Sequence, residues 1–319
     1  MPPVPPPGRL LRIAGRPLHV QLQPAAAGIR APTVVLEAAL GGSSLGWVYV
    51  QRALAGEVPL LSYDRAGLGY SAAGPLPRDL PRLIADLEAV LQATAAAPPY
   101  LLVGHSFGAL IVRQFAALHP ELTAGVILVD PPWLEEWCHP NAESQAKLMS
   151  GIRLSRRGMW AARCGIAQFA AWLVATGALQ WAARCATLVS GGKLRTAEDF
   201  NIPPPTKLPP ELKPAMRWFW SRARFYQALA SQMESLPAAA RAIAAAIALG
   251  DIPLTVLSAA DTPTAQRAEH QRLAAAAARG RHRVARASGH WIPLEEPDLV
   301  VAAIRALLPQ SASPAARRL

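Results

Sequence analysis

Tyr100-Leu101-Leu102-Val103-Gly104-His105-Ser106-Phe107-Gly108 is the stretch whose reading decides the fold. Its apolar opening reads as a buried strand, and helix-compatible sequence follows Gly108 at once, up to about His119-Pro120. Between the two lies a G-x-S-x-G signature in the strand–turn–helix context that gives it meaning. A serine on so sharp a turn needs neighbours without bulky side chains, so that its hydroxyl stands clear of the sheet. The turn also sets backbone N–H groups and a helix start beside that hydroxyl, where negative charge is favoured. Ser106 is therefore the candidate nucleophile, with an ordinary small-residue turn as the plain alternative.

Working outward, Leu10 to Gln23 reads as two short strands with a turn near Gly15-Arg16-Pro17. Thr33 to Glu37 and Pro59 to Tyr63 are buried strands, the second closed by the turn Asp64 to Gly69. Leu80 to Thr94 carries apolar residues at helical spacing. After the serine, Gly125 to Val129 is a further apolar run ending at Asp130. The rhythm resumes with a strand at Ile252 to Ser258, a helix from about Ala265 to Ala278, a strand around Arg283 to Ala287 and a closing helix at Pro297 to Leu308. Continuous apolar strands alternating with helices predict an α/β fold, a parallel sheet covered on both faces. From Pro131 to Gly250 no clean strand appears, only Ala- and Trp-rich helix-compatible sequence. The predicted organisation is a core of residues 9–130 and 251–308, a helical insertion over 131–250, and disordered tails at 1–8 and 309–319.

Composition narrows the classes. The chain of 319 residues is 52% hydrophobic and only 17% charged, which suits a packed core and excludes a disordered protein. Its net charge of +11 is almost entirely arginine, with Lys147, Lys193, Lys207 and Lys213 the lysines. The densest basic cluster, Arg279, Arg281, Arg283 and Arg286, has no interleaved aromatics, so nucleic-acid binding is not expected. Cys138, Cys164 and Cys185 fit neither a disulfide framework nor metal-ligand spacing, and no cofactor motif is present. The Pro-rich start lacks the apolar segment of a secretory signal, so a cytoplasmic location is expected.

A serine nucleophile needs a base, an orienting acid and an oxyanion hole. His290, in the loop Ser288-Gly289-His290-Trp291 between the last strand and the last helix, is the candidate base. His105 adjoins the nucleophile, but adjacent side chains on a sharp turn diverge, so it reads as structural. His19, His119, His139, His270 and His282 read as surface, turn or helix residues. Asp261 follows the strand ending at Ser258 and gives the order Ser…Asp…His, although it would serve equally as a helix cap before Pro263. Asp130 is its rival, because it ends a strand on the same edge of the sheet. Asp64 and Asp86 read as a turn residue and a helix-surface residue. The oxyanion hole is expected from the N–H of Phe107 and that of Leu40, in the loop after the Thr33–Glu37 strand.

Together, Val34 to Gly42, Tyr63 to Ser71, Gly104 to Gly108, Leu257 to Asp261 and Ser288 to Pro293 make the chain resemble the α/β-hydrolase superfamily, in its esterase, lipase and peptidase-like branch. The resemblance spans about Leu10 to Leu308, except for the insertion. It implies a doubly wound, mostly parallel eight-stranded sheet, with Ser106, Asp261 and His290 as triad and Leu40 and Phe107 as oxyanion donors. One departure is visible: Ala38-Ala39 stands where the family usually has His-Gly. Branches with an aspartate nucleophile are set aside, because Ser106 occupies that position.

In such proteins the segment after the sixth strand is a helical cap that selects substrates. Seven of the nine tryptophans fall within the insertion here: Trp133, Trp137, Trp160, Trp172, Trp181, Trp218 and Trp220. With Phe169, Phe219, Phe225 and Leu173 they predict an apolar pocket, against the plainer reading of core between helices. The uncharged stretch Cys164 to Ala183 raises a transmembrane question, resolved in favour of buried cap helices, with a lipid-facing surface as the alternative. The expected function is cofactor-independent serine hydrolysis of a small hydrophobic carboxylic ester. An amide, peptide or C–C substrate, or a silent binding protein on the same fold, remains open.

Overall fold

The computed structural model describes residues 5–166, 207–245 and 249–309. Eight strands form one sheet in the order β1-β2-β4-β3-β5-β6-β7-β8. They are β1 (Arg9–Ile13), β2 (Arg16–Gln23), β3 (Thr33–Glu37), β4 (Leu60–Tyr63), β5 (Tyr100–His105), β6 (Thr123–Val129), β7 (Leu254–Ser258) and β8 (Gly280–Val284). The pairs β1/β2 and β2/β4 are antiparallel, and every pairing from β4 through β8 is parallel. The sheet is therefore the mostly parallel, eight-stranded one expected.

The unbroken apolar strands follow from burial on both faces. Successive strand residues point to opposite sides. Val35, Leu102, Val126 and Leu128 enter one core, with helices α2 (Leu80–Thr94) and α3 (Phe107–Leu118). Val34, Leu36, Leu101, Val103, Ile127 and Val129 enter the other, with α1 (Val48–Ala53) and α10 (Pro297–Leu307). Alternate positions face different cores, and both need apolar side chains. The start of α2 shows the local logic: the Asp79 side chain caps it by accepting from the Arg82 N–H at 3.2 Å.

Between β6 and β7 lie α4 (Leu134–Cys138), α5 (Ala142–Arg163), α6 (Lys213–Trp220) and α7 (Ala223–Ala245). Helices α8 (Thr264–Ala275) and α9 (Ile292–Glu295) complete the return segment. Trp172, Trp181, Phe169 and Leu173, most of the Cys164–Ala183 stretch, and the tail from residue 310 lie outside the described residues. Among the described residues no helix is long and apolar enough to cross a membrane.

Three expectations need correction. The last strand runs Gly280–Val284, three residues earlier than its sequence suggests. It is a solvated edge strand rich in arginine, so it carries no apolar run to mark its ends. Asp86 is buried rather than on a helix surface, because it is ion-paired with both Arg16 and Arg78. His19 lies fully buried in β2, paired with Asp64 at 2.9 Å.

Candidate active site

Strand β5 ends at His105, and Ser106 takes φ 52° and ψ −121° before α3 begins. Positive φ is costly for a residue with a β-carbon, so the surroundings must hold it. They do so on both sides: the Ser106 N–H donates to the Val129 carbonyl, and the Ala109 N–H donates to the Ser106 carbonyl, each at 2.8 Å. The flanking glycines are needed for close approach. A β-carbon on Gly104 would lie 2.5 Å from the Gly108 carbonyl oxygen, and one on Gly108 would lie 2.5 Å from that of Glu37. The turn thus packs α3 directly against the end of β3.

His105 points toward the histidine loop. It is buried, and its Nε2 donates to the His290 carbonyl at 2.7 Å, joining the elbow to the histidine loop. Burial, with His290 close by, pushes its pKa down to about 3, so the ring is neutral.

The carboxylate that meets His290 is not the one favoured by chain order. His290 Nδ1 donates to Asp130 Oδ2 at 2.6 Å, and Asp261 makes no hydrogen bond to His290. Asp130 is buried, sits at φ 43° directly after β6, and is anchored by its own N–H to the Leu257 carbonyl at 2.7 Å. Its Oδ1 accepts from the Thr262 hydroxyl at 2.8 Å and the Ala259 N–H at 3.1 Å. Burial opposes its ionisation, but the His290 bond and these two donors outweigh it and hold the carboxyl below its usual range. The end of β7 therefore supplies donors to Asp130 instead of a carboxylate partner to His290. Asp261 is exposed, on the wall of the same cavity.

That cavity, of about 380 Å³, brings together Ser106, His290, Asp130, Leu40 and Phe107. His290 Nε2 is buried and has no hydrogen-bond partner among the described residues. Phe107 is the first residue of α3, so its N–H has no partner within the helix. Leu40 enters the turn closed by the bond from the Gly42 N–H to the Ala39 carbonyl at 2.9 Å. Trp133, Trp137, Leu148, Met233 and Leu236, from the helices between β6 and β7, line the rest with Glu136 and Lys147. Of the insertion's tryptophans, Trp133 and Trp137 line the cavity, Trp218 and Trp220 pack in a separate cluster with Phe219, and Trp160 is exposed. Among the described residues no group of His, Cys, Asp or Glu is arranged to hold a metal ion.

Two features escaped the sequence reading. Arg65 is buried and ion-paired with Glu37 at 2.6 Å; a glutamate ending the apolar strand β3 was the available signal. The second is a buried cluster behind Asp130. His270 Nε2 donates to the Pro131 carbonyl at 2.9 Å, which requires its Nδ1, 2.7 Å from Ser258 Oγ, to accept when the ring is neutral.

The model of the alpha/beta hydrolase family matches residues 34–303. Among curated proteins, YqjL of Bacillus subtilis (strain 168), an uncharacterized protein, is 34% identical over 119 residues, covering 37% of this chain and 46% of its own. RutD of Klebsiella pneumoniae (strain 342), named for carbamate hydrolysis, is 42% identical over 106 residues, covering 33% and 39%. The matches thus span less than half the length of these relatives. Among solved structures, the enol-lactonase of Burkholderia xenovorans LB400 superposes with a TM-score of 0.62 at 21% identity, covering 93% of this chain and 98% of its own. The fold, the elbow and the match across most of its length agree: the chain belongs to the alpha/beta hydrolase family.

Proposed function

We propose that the protein is a serine hydrolase that cleaves a hydrophobic carboxylic ester through an acyl-enzyme, with Ser106 as nucleophile, His290 as base and Asp130 as the acid. The observation that carries this reading is His290: one ring nitrogen is bound to a buried carboxylate, and the other, at the cavity that holds Ser106, has no partner among the described residues. Asp130 fixes the tautomer with the proton on Nδ1, which leaves Nε2 to accept one.

In the first step the Ser106 oxygen bonds to the substrate carbonyl carbon as its proton passes to His290 Nε2. The imidazolium is stabilised by ionised Asp130. The carbonyl oxygen becomes an oxyanion facing the N–H groups of Leu40 and Phe107. Collapse breaks the bond to the leaving alkoxide, which takes the proton from Nε2. Water then repeats the sequence: His290 takes its proton, hydroxide adds to the acyl carbon, and Ser106 leaves with the proton restored. The apolar wall of Leu148, Met233, Leu236 and the two tryptophans supports an acyl or aromatic substrate group. The likeness to RutD favours a carbamate as the second reading, with the same attack on a carbonyl.

The test is hydrolysis of short and long p-nitrophenyl esters and a p-nitrophenyl carbamate, beside Ser106→Ala. Turnover lost in the folded variant is expected, with the faster series naming the substrate. Substantial hydrolysis by folded Ser106→Ala would sink the assignment.

A further inference from the structure

A buried cation stands directly behind one of the two oxyanion donors. Arg65 is 1% exposed, in the turn after β4. Its Nη1 donates to Glu37 Oε1 and to the Ala38 carbonyl, each at 2.6 Å. Its Nη2 donates to the Ala39 carbonyl at 2.5 Å and to Gln232 Oε1 at 3.4 Å. Its guanidinium carbon also lies 5.6 Å from the ring centre of Phe107, the residue bearing the other donor.

The Ala39 carbonyl and the Leu40 N–H belong to one peptide unit. In a planar trans peptide these groups point in opposite directions, so fixing the oxygen aims the N–H. Leu40 lines the cavity at Ser106, and the Arg65 bond holds the other end of that unit. A charged donor on the carbonyl also withdraws electron density from the amide and makes its N–H a stronger donor, more so away from water. We infer that Arg65 is a positioning residue that aims and polarises the Ala39–Leu40 peptide as an oxyanion donor, with Glu37 as its buried counter-ion. A purely structural ion pair between β3 and β4 would have no need of two consecutive carbonyls leading into the donor. The inference rests on the serine-hydrolase reading above.

Removing Arg65 alone would strand the Glu37 charge and endanger the fold. The informative variants are Glu37→Gln/Arg65→Met, which removes both charges, and Arg65→Lys, which keeps the cation but cannot span both carbonyls. Each is assayed for thermal midpoint, for kcat and KM with p-nitrophenyl butyrate, and for inhibition by an alkyl trifluoromethyl ketone, whose serine adduct carries the oxyanion. The double variant should keep its fold and its KM. Its kcat and its ketone affinity should fall together, by about 10- to 100-fold, with Arg65→Lys recovering part of the loss. A folded double variant with parental kcat and ketone affinity overturns the inference, as does an Arg65→Lys enzyme no faster than the double variant. If the double variant does not fold, Arg65→Lys decides: lowered kcat at unchanged KM supports the inference, and parental kcat overturns it. A parent without Ser106-dependent turnover removes the hydrolase reading and this inference together. An active parent matched by its double variant removes this inference alone.

Discussion

The turns after β6 and after β7 leave neighbouring strands at the same edge of the sheet, and only the first brings an aspartate into a hydrogen bond with His290. Each follows a central parallel strand at the carboxyl edge of the sheet, and each carries an aspartate within two residues of a proline. Asp130 is buried at positive φ and accepts from His290, Thr262 and Ala259; Asp261 is exposed and makes no such bonds. Two of Asp130's three donors come from the β7 turn itself, so the two turns are parts of one device. A place at a strand end is not enough to pair with His290: neighbouring donors converge on Asp130, and such donors keep a buried carboxylate ionised.

The largest expected effect separates the two aspartates. Asp130→Asn should lower kcat by about 10³- to 10⁴-fold, since an amide no longer selects the useful tautomer or stabilises the imidazolium. Asp261→Asn should stay within about threefold under the same ester assay. Equal losses would erase the comparison. Thr262→Val then sharpens it by removing a single donor to Asp130 from the neighbouring turn. We expect about 1 kcal/mol of destabilisation in urea titrations and a slowing of about tenfold.

Acid titration of stability should show a smaller difference. The folded pKa of Asp130 lies below its unfolded value, so its contribution is present above that value, about 4, and is lost as pH falls through the folded pKa. Thermal midpoints of Asp130→Asn should therefore decline less than the parent's in that acid range, whereas those of Asp261→Asn should track the parent. A control far from both turns has the opposite sign. Burial lowers the pKa of His19, but Asp64 and the Pro7 carbonyl outweigh it and the net shift is upward. This contribution is present below the unfolded value of about 6.5 and is lost as pH rises through the folded pKa. His19→Gln should flatten that alkaline limb of the midpoint curve. A parental slope in the variant would remove His19 as its source.

The sequence made the elements legible wherever burial imposed a pattern. Thr33–Glu37 and Leu80–Thr94 begin and end where their apolar spacing says, and Gly104 and Gly108 explain why Ser106 could be read as an elbow. Val284 and its arginine neighbours lie on a solvated edge, where no periodicity exists to read. The choice between Asp130 and Asp261 was illegible for a different reason. It depends on which carboxylate meets Ala259, Thr262 and His290, and those contacts span 129 to 160 residues of sequence. Buried charges such as Arg65 and Asp86 were hidden likewise, because each is tolerated only through partners that the fold supplies.

The central claim is that Ser106 is activated by a histidine that Asp130 holds. It is tested most directly by the rate of covalent labelling with a fluorescent fluorophosphonate, with the site mapped by peptide mass spectrometry. The parent, Ser106→Ala, Asp130→Asn and Asp261→Asn would be compared as folded proteins. The account predicts label on Ser106 in the parent, none in Ser106→Ala, strongly slowed labelling in Asp130→Asn and near-parental labelling in Asp261→Asn. Slow labelling of Asp261→Asn beside a normal rate in Asp130→Asn would contradict it, as would label on any other residue.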